Sequence, residues 1–434
     1  MDTPICDFVR RYADSNTLRL HMPGHKGLGE PERLDITEIA GADSLYEADG
    51  IIAQSERNAS QLFGCPTFYS TEGSSQCVRA MVYLAMVSAK QQGKRPLIAA
   101  GRNAHKTFLS AVGLLDVDVT WVYPTARESY LSCPITASDA EALGEDVTAL
   151  YLTSPDYLGN MVDVAAISAV CRRRGILLLV DNAHGAYLRF LRPSLHPMDL
   201  GADLCCDSAH KTLPVLTGGA YLHVRDAVLA EYAKNALALF GSTSPSYLIL
   251  QSLDAANRYL AEGYGEKLQE FVAALERIRA GLPGYRFMGD EPMKLTIHAK
   301  AYGYTGAQLA DLLRQQEIEC EFADPDYLVL MPTPEMDSLS LARLENGLKA
   351  IAPLAPVGEK PPVASRPERI CAIRQALLSP WENVPVGESV GRVLAAATVG
   401  CPPAVPILVC GEKIDQNAVE CFRYYGIETC AVMK

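Results

Sequence analysis

The sequence lacks the features that mark secreted and membrane proteins. No run approaches the roughly 18 apolar residues that a membrane-spanning helix needs. The first residues, MDTPICDFVRRYAD, contain no apolar stretch after a basic start, as a signal peptide would. We therefore expect a cytoplasmic protein with no membrane partner.

Basic residues are scarce, and the cysteines lack metal-site spacing. The chain has 39 lysines and arginines against 51 acidic residues, which gives a formal net charge of -12. Nucleic acids require clustered positive charge, so they are excluded as main partners, whereas a cationic substrate or simple solubility is compatible with the balance. The 13 cysteines show no C-x-x-C pair, so we expect neither a metal site nor a thiol redox centre.

What is present is typical of an α/β protein. The 434 residues are 49% hydrophobic and 21% charged, enough chain for two or three domains. From Ile51 onwards, helix-like stretches alternate with short apolar runs, which predicts a mostly parallel sheet covered by helices on both faces. The runs are PLIAA (96–100), VTWVY (119–123), ALYLT (149–153), ILLLV (176–180) and ADLCC (202–206).

Changes of composition predict how the chain divides into domains. We expect an N-terminal arm with little regular structure (1–50), a large domain (51–282), a smaller α/β domain (283–355), and a linker with a C-terminal domain (356–434). A long helical region, 246–282, closes the large domain, and a proline-rich stretch marks the linker. The C-terminal domain contains the strand-like segments VPILVC and ETCAVM.

Two predicted strands end in side chains that can carry chemistry. Asp181 follows ILLLV, and Asp207, Ser208, His210 and Lys211 follow ADLCC. Because the carboxyl ends of parallel strands meet at one ligand-binding edge, Asp181 and Lys211 are expected to share a crevice. A salt bridge or a helix cap is the plainer explanation. Pyridoxal phosphate chemistry, however, needs both groups: an amine for the Schiff base and a carboxylate that keeps the pyridine nitrogen protonated.

A phosphate site and a ring-stacking histidine are also predicted. Gly73, Ser74 and Ser75 directly precede an amphipathic helix, and a helix N-terminus with hydroxyls binds anions, although the same residues serve as ordinary caps. His105, in RNAHKTFLSAV, follows another apolar run. Its imidazole is suited to stack on a pyridine ring, although a loop histidine bonded to the backbone is the commoner case.

Five motifs, in this order and at this spacing, resemble those of the Orn/Lys/Arg decarboxylase family, the class I group III basic amino-acid decarboxylases. They are HMPGHKG, RNAHKT, VDNAHGA, DSAHKTL and STSPSY. The likeness is strong over residues 15–260 and is to the short members without an N-terminal wing domain. It implies the fold type I architecture of aspartate aminotransferase, with pyridoxal 5′-phosphate as the cofactor.

The resemblance implies a role for each matched residue around the cofactor ring. Lys211 is matched to the Schiff-base lysine, Asp181 to the partner of the pyridine nitrogen, and His105 to the histidine stacked on the ring. Ala183 is matched to the residue under the ring and His184 to the residue near its phenolic oxygen.

The resemblance also implies a phosphate site and an assembly. The positions matched to the phosphate site are Gly73, Ser74, Ser75, Ser208 and His210. Segment 242–247 resembles a loop that reaches the phosphate across a dimer interface. A homodimer or a higher homo-oligomer with shared active sites is therefore implied.

The implied reaction is the decarboxylation of arginine, lysine or ornithine to the corresponding amine, a step of polyamine biosynthesis, with Lys211 or His210 returning a proton to the α-carbon. Another reaction of the same cofactor, such as transamination or decarboxylation of a non-basic amino acid, is the first alternative. A transaminase would use an arginine of the small domain, where Arg286, Arg314 and Arg343 are available. A catalytically silent homologue is the second alternative.

Three positions depart from the family pattern, and the first of them affects the surroundings of the site more than its chemistry. Asn182 replaces the glutamate of Asp-Glu-Ala-His, Ala396 stands where short members often carry a glutamate, and Cys401–Ala404 replace a tyrosine-containing motif. A desolvated cation needs an acidic partner. The last two departures therefore bear on which amino-acid side chain is accepted.

Overall fold

In a computed structural model of the chain, the described residues are 1–123, 129–362, 365–396 and 404–434. The helices are α1 (Pro4–Ala13), α2 (Ile51–Phe63), α3 (Ser74–Gln91), α4 (Lys106–Leu115), α5 (Ala137–Glu141), α6 (Val164–Arg174), α7 (Ala209–Thr212), α8 (Ala227–Ala230), α9 (Ala233–Ala238), α10 (Tyr247–Ala261), α11 (Tyr264–Ala280), α12 (Gly306–Arg314), α13 (Ser338–Lys349), α14 (Ile373–Leu377) and α15 (Gln416–Tyr424). Within these described residues, no helix has the length and apolar character needed to span a membrane.

The strands account for most of the predicted apolar runs. They are β1 (Thr67–Ser70), β2 (Leu97–Gly101), β3 (Asp118–Val122), β4 (Ala149–Thr153), β5 (Leu177–Asp181), β6 (Leu204–Asp207), β7 (Ala220–Val224), β8 (Phe287–Met288), β9 (Leu295–His298), β10 (Phe322–Ala323), β11 (Tyr327–Leu330), β12 (Trp381–Pro385) and β13 (Thr429–Met433). The prediction of a strand in VPILVC is wrong, since residues 405–410 are irregular, whereas ETCAVM does contain β13.

The main sheet has seven strands in the order β1-β7-β6-β5-β4-β2-β3. β5 and β6 are parallel, with Asp181 opposite Cys206, and β2 and β3 are also parallel. β7 runs antiparallel to both β6 and β1. The predicted α/β fold with a mostly parallel sheet is thus confirmed, and β1 and β7 add an antiparallel edge that the apolar runs do not indicate.

One compact unit comprises residues 1–96, 144–150 and 164–268. Its core includes one face of α3, which packs on β6 and β7. The N-terminal arm is more regular than expected, because α1 packs against α2 and α10 and buries Ile5, Cys6 and Val9. The backbone N–H of Cys6 also donates to Asp254 Oδ2 at 3.0 Å.

The other compact unit comprises residues 97–143, 151–163 and 269–434. It contains an antiparallel sheet in the order β10-β11-β9-β8 and the pair β12-β13. A C-terminal apolar core is built around Leu394, Ile414, Phe422 and Val432. The domain boundaries drawn after residues 50, 282 and 355 stay a prediction.

A buried ion pair anchors the C-terminal segment within this second unit. Nη2 of Arg102, which follows β2, lies 2.7 Å from Oε2 of Glu412, and the two side chains are 1% and 4% exposed. Nε and Nη1 of Arg102 have no hydrogen-bond partner among the described residues. Glu412 therefore supplies the only carboxylate paired with this cation in the described part of the chain, and a buried charge without a partner is costly.

Replacing Glu412→Ala should destabilise the protein by about 3 kcal/mol, because it leaves the guanidinium of Arg102 buried without a countercharge. The loss is measured as a lower midpoint of urea unfolding. A matched control is Glu382→Ala, which removes an exposed carboxylate 2.8 Å from Arg392 and should shift the midpoint little, because exposed pairs are screened by water. Equal shifts in the two variants would contradict the assigned role of the buried pair.

Candidate active site

Lys211 lies in the short helix α7, which begins two residues after β6 ends. Its Nζ is 3.0 Å from Nε2 of His184. His184 follows β5 and is buried, with 5% of its surface exposed. The ends of two neighbouring parallel strands therefore bring an amine and an imidazole into contact.

Asp181 is the last residue of β5 and is 4% exposed. Its Oδ1 accepts the backbone N–H of Ala183 at 3.2 Å and the thiol of Cys206 at 3.5 Å. Burial raises the pKa of Cys206 well above its usual value, and the charge of Asp181 adds to this. The thiol therefore keeps its proton and acts as a donor, so two donors orient the carboxylate of Asp181.

A pair of hydroxyls lies at the start of α3. Ser208 Oγ donates to Ser74 Oγ at 2.7 Å, and Ser75 is the next residue of the helix. Gly73 precedes the helix with φ +71° and provides no side-chain cap. A β-carbon on Gly73 would lie 3.8 Å from Cε1 of His210. Hydroxyls at a helix N-terminus that lacks a side-chain cap suit an anion such as phosphate.

His210 is held by the backbone. Its Nδ1 donates to the carbonyl of Gly219 at 2.9 Å. Burial lowers the pKa of His210, and the nearby charge of Lys211 lowers it further, against the opposing effect of the Gly219 hydrogen bond. A neutral ring that donates through Nδ1 has no proton at Nε2 to give. Of the two proton donors considered above, the geometry thus favours Lys211.

His105 belongs to the other compact unit, where it caps α4. Its Nδ1 accepts the backbone N–H of Thr107 at 3.1 Å and lies 2.9 Å from the Thr107 hydroxyl. The commoner role of a loop histidine bonded to the backbone is therefore present, and stacking on a ring stays a prediction.

Two other predicted features concern segments rather than single residues. In segment 242–247, the backbone N–H of Ser242 donates to Glu72, and Ser246 caps α10. Its contribution to a partner's site stays a prediction. Of the positions that depart from the family pattern near the C-terminus, 401–403 lie outside the described residues. Ala404 accepts the backbone N–H of Lys106 at 2.9 Å.

Behind these residues lies a buried polar cluster that sequence reasoning missed. Oδ2 of Asp207 is 3.0 Å from Nε2 of His196 and 3.1 Å from Nε2 of His223, and all three side chains are fully buried. Asn182 Nδ2 donates to Asp207 Oδ1 at 2.7 Å. In the sequence, His196 and His223 are separated from Asp207 by more residues than a common short motif spans, and His223 lies within the apolar run of β7. The sequence therefore gives no local signal of the cluster.

The contacts of this cluster favour a charged His223. Thr67 Oγ1 lies 3.0 Å from the Cys65 carbonyl, to which it can donate, and 2.9 Å from His223 Nδ1. A protonated His223 would donate to both Thr67 and Asp207. Burial disfavours this charge, yet Asp207 raises the pKa of His223 above its usual value. The three groups also have the donor atoms of a cation site.

The protein resembles known families over most of its length. The family model described as Orn/Lys/Arg decarboxylase, major domain, matches residues 3–283. An arginine decarboxylase of Halalkalibacterium halodurans is 29% identical, with 97% of this chain and 93% of that protein covered. An arginine decarboxylase of Bacillus subtilis is 28% identical, with 96% and 92% covered.

A solved structure shows the same fold at lower identity. The lysine decarboxylase LdcF of Francisella novicida superimposes with a TM-score of 0.83 at 17% identity, covering all of this chain and 81% of that one. This likeness confirms the predicted fold type I architecture.

The charge of His223 predicts how stability depends on pH. Because its pKa is raised in the folded protein, its contribution is complete below the unfolded value of about 6.5 and is lost as pH rises through the higher folded value. The melting temperature of the native protein should therefore fall more between about pH 6 and pH 9 than that of His223→Gln, whose amide donates without titrating.

A second variant tests the origin of the charge. Thr67→Val removes the acceptor of the Nδ1 proton and should weaken the same pH dependence. Identical pH profiles for the native protein and both variants would show that His223 is neutral in the folded state.

Proposed function

The chain belongs to the Orn/Lys/Arg decarboxylase family, and from that premise we propose that it removes the α-carboxylate of a basic amino acid with the help of pyridoxal 5′-phosphate. One observation carries the proposal. Lys211 Nζ lies 3.0 Å from His184 Nε2, and His184 follows the buried carboxylate of Asp181 by three residues. An amine and a carboxylate at adjacent strand ends are what this cofactor requires.

The residues present fit the cofactor by their chemistry. Lys211 offers the amine for the aldehyde, Asp181 the carboxylate for the pyridine nitrogen, and Ser74 and Ser208 the hydroxyls for the phosphate. The space in front of Gly73 supports the last assignment, since no side chain caps α3 there. When bound, the cofactor supplies a conjugated ring that takes up the electrons of the broken carbon–carbon bond.

Each of these side chains has a separate role. His184 accepts a hydrogen bond from the Lys211 amine and so orients it. Asp181, held by the Ala183 N–H and the Cys206 thiol, would keep a proton on the ring nitrogen of the bound cofactor. Lys211 would supply the proton to the α-carbon, since its amine is the group within this set that can still donate.

Arginine is the substrate we propose first. Two relatives named arginine decarboxylase align with at least 96% of this chain. The net charge of -12 is compatible with a cationic substrate. Lysine and ornithine stay open, because the departures at Ala396 and 401–404 fall in the segment that bears on side-chain choice.

A transaminase is the less favoured alternative. Such an enzyme would need an arginine to bind the substrate carboxylate. Arg314 is 54% exposed and pairs with Asp311 and Glu319, and Arg343 is equally exposed and pairs with Glu317. These two arginines of the small domain are therefore part of surface ion pairs.

We also propose a cytoplasmic homodimer in which segment 242–247 contributes to the partner's phosphate site. The support is the resemblance of STSPSY to the corresponding family loop. The mass of the purified protein in solution tests the dimer.

The cofactor proposal is tested by absorbance. The purified protein reconstituted with pyridoxal 5′-phosphate should show the visible band of a lysine-bound chromophore, and borohydride should abolish it. Lys211→Ala should remove the band, whereas Lys90→Ala, at the exposed end of α3, should keep it. A colourless native protein after reconstitution would refute the proposal.

The reaction proposal is tested with a panel of amino acids. Release of CO₂ with an equal amount of amine is expected with arginine, and to a smaller extent or not at all with lysine and ornithine. Keto acid without CO₂ would indicate transamination. Bound cofactor with no turnover of any amino acid would favour a catalytically silent homologue.

A further inference from the structure

Two side-chain hydrogen bonds join the ends of β5 and β6. One is donated by the Cys206 thiol to Asp181 Oδ1 at 3.5 Å. In the other, Asn182, which follows β5, donates from Nδ2 to Oδ1 of Asp207, the last residue of β6, at 2.7 Å, and both side chains are fully buried. The backbone N–H of Asn182 also donates to the Cys206 carbonyl at 3.0 Å. Because Asp181 precedes Asn182 and Ser208 follows Asp207, the amide–carboxylate bond adds a side-chain constraint between the segments that carry these two functional residues.

The structure makes room for this bond and leaves part of the amide unsatisfied. A β-carbon on Gly185 would lie 2.0 Å from Asn182 Oδ1, so only glycine at position 185 permits the present orientation. Asn182 Oδ1 is buried with no hydrogen-bond partner among the described residues. An apolar side chain would avoid that cost, so the donor at Nδ2 explains why an amide is there.

Asp207 is suited to a neighbour that donates a hydrogen bond and not to a negatively charged one. Its Oδ2 already accepts from His196 and His223, and its Oδ1 accepts from Asn182. The resemblance noted above has a glutamate at position 182, and a second carboxylate beside Asp207 would be strongly repelled in this buried place.

We propose that Asn182 and Asp207 form a positioning pair, whose hydrogen bond sets the spacing of Asp181 and Ser208 for the cofactor. An amide is present at position 182 because the residue at position 207 is a carboxylate. The proposal rests on the function proposed above. It makes the departure at position 182 part of a two-residue arrangement: one position of the pair carries the carboxylate and the other carries the amide.

The test exchanges the two groups. Asn182→Asp places two carboxylates together, and Asp207→Asn places two amides together. The double variant N182D/D207N restores one carboxylate and one amide with the direction of the hydrogen bond reversed. The readouts are the dissociation constant of pyridoxal 5′-phosphate, measured by absorbance titration, the pH midpoint of the absorbance change of the bound chromophore, and the melting temperature.

Asn257→Asp is the matched control. Asn257 is also fully buried in the same compact unit, donates from Nδ2 to Tyr69 Oη at 2.7 Å, and has an unpartnered Oδ1 among the described residues. Its neighbour Ser55 donates to the carboxylate of Asp254 at 2.6 Å. This control therefore adds a buried carboxylate near another one, away from Asp181 and Lys211.

Each single variant of the pair should raise the dissociation constant by at least about tenfold, the factor that corresponds to 1.4 kcal/mol, and should shift the pH midpoint. The double variant should be less impaired than the sum of the two single variants, because non-additivity is the mark of direct coupling. Asn257→Asp should lower the melting temperature and leave both cofactor readouts unchanged.

Two outcomes would overturn the inference alone. In one, the Asn182 and Asp207 variants lose thermal stability, as Asn257→Asp does, but keep native cofactor binding. In the other, the double variant is as impaired as the sum of the two single variants. A native protein that binds no cofactor would overturn the proposed function as well, and the titration of the native protein separates that case from the others. If a single variant fails to fold, Asn182→Ala, which removes the donor without adding charge, gives the same comparison.

Discussion

The parallel pairing of β5 with β6 is the constraint on which the candidate site depends. Asp181 lies opposite Cys206 in this register, so the two strands end almost together. The segments 181–184 and 207–211 are far apart in the sequence but therefore lie side by side at one edge of the sheet. A shift of one residue in this pairing would turn Asp181 to the opposite face and separate it from the Cys206 thiol that donates to it.

The parts of this arrangement that sequence reasoning could find are those with a short-range signal. Continuous apolar runs bounded by polar residues predicted β2 to β6, because buried parallel strands need apolar side chains on both faces. Asp181 and Lys211 can be found because polar and charged residues that follow such a run within one turn stand out. Ser74 and Gly73 were found because the start of an amphipathic helix is visible in its period.

The parts that could not be predicted depend on pairing between distant segments. His223 is one residue in the apolar run of β7, and it meets Asp207 because β7 is antiparallel to β6. The helix α1 is only ten residues long, and its order comes from burial of its apolar face against α2 and α10. Conversely, VPILVC has the composition of a strand, but residues 405–410 form a buried irregular segment that leads into a turn, and Glu412 after the turn pairs with Arg102. Composition alone does not distinguish a buried loop from a buried strand.

The departures from the family pattern fall into two groups, one in each compact unit. Asn182 is bonded to Asp207 inside one compact unit, together with Lys211 and Asp181. Ala396 and Ala404 belong to the other unit, where Ala404 accepts the N–H of Lys106 at the start of α4. A change near Ala404 therefore acts through the backbone next to His105, whereas a change at Asn182 acts on the carboxylate of Asp207. The two groups of departures therefore act on different hydrogen bonds.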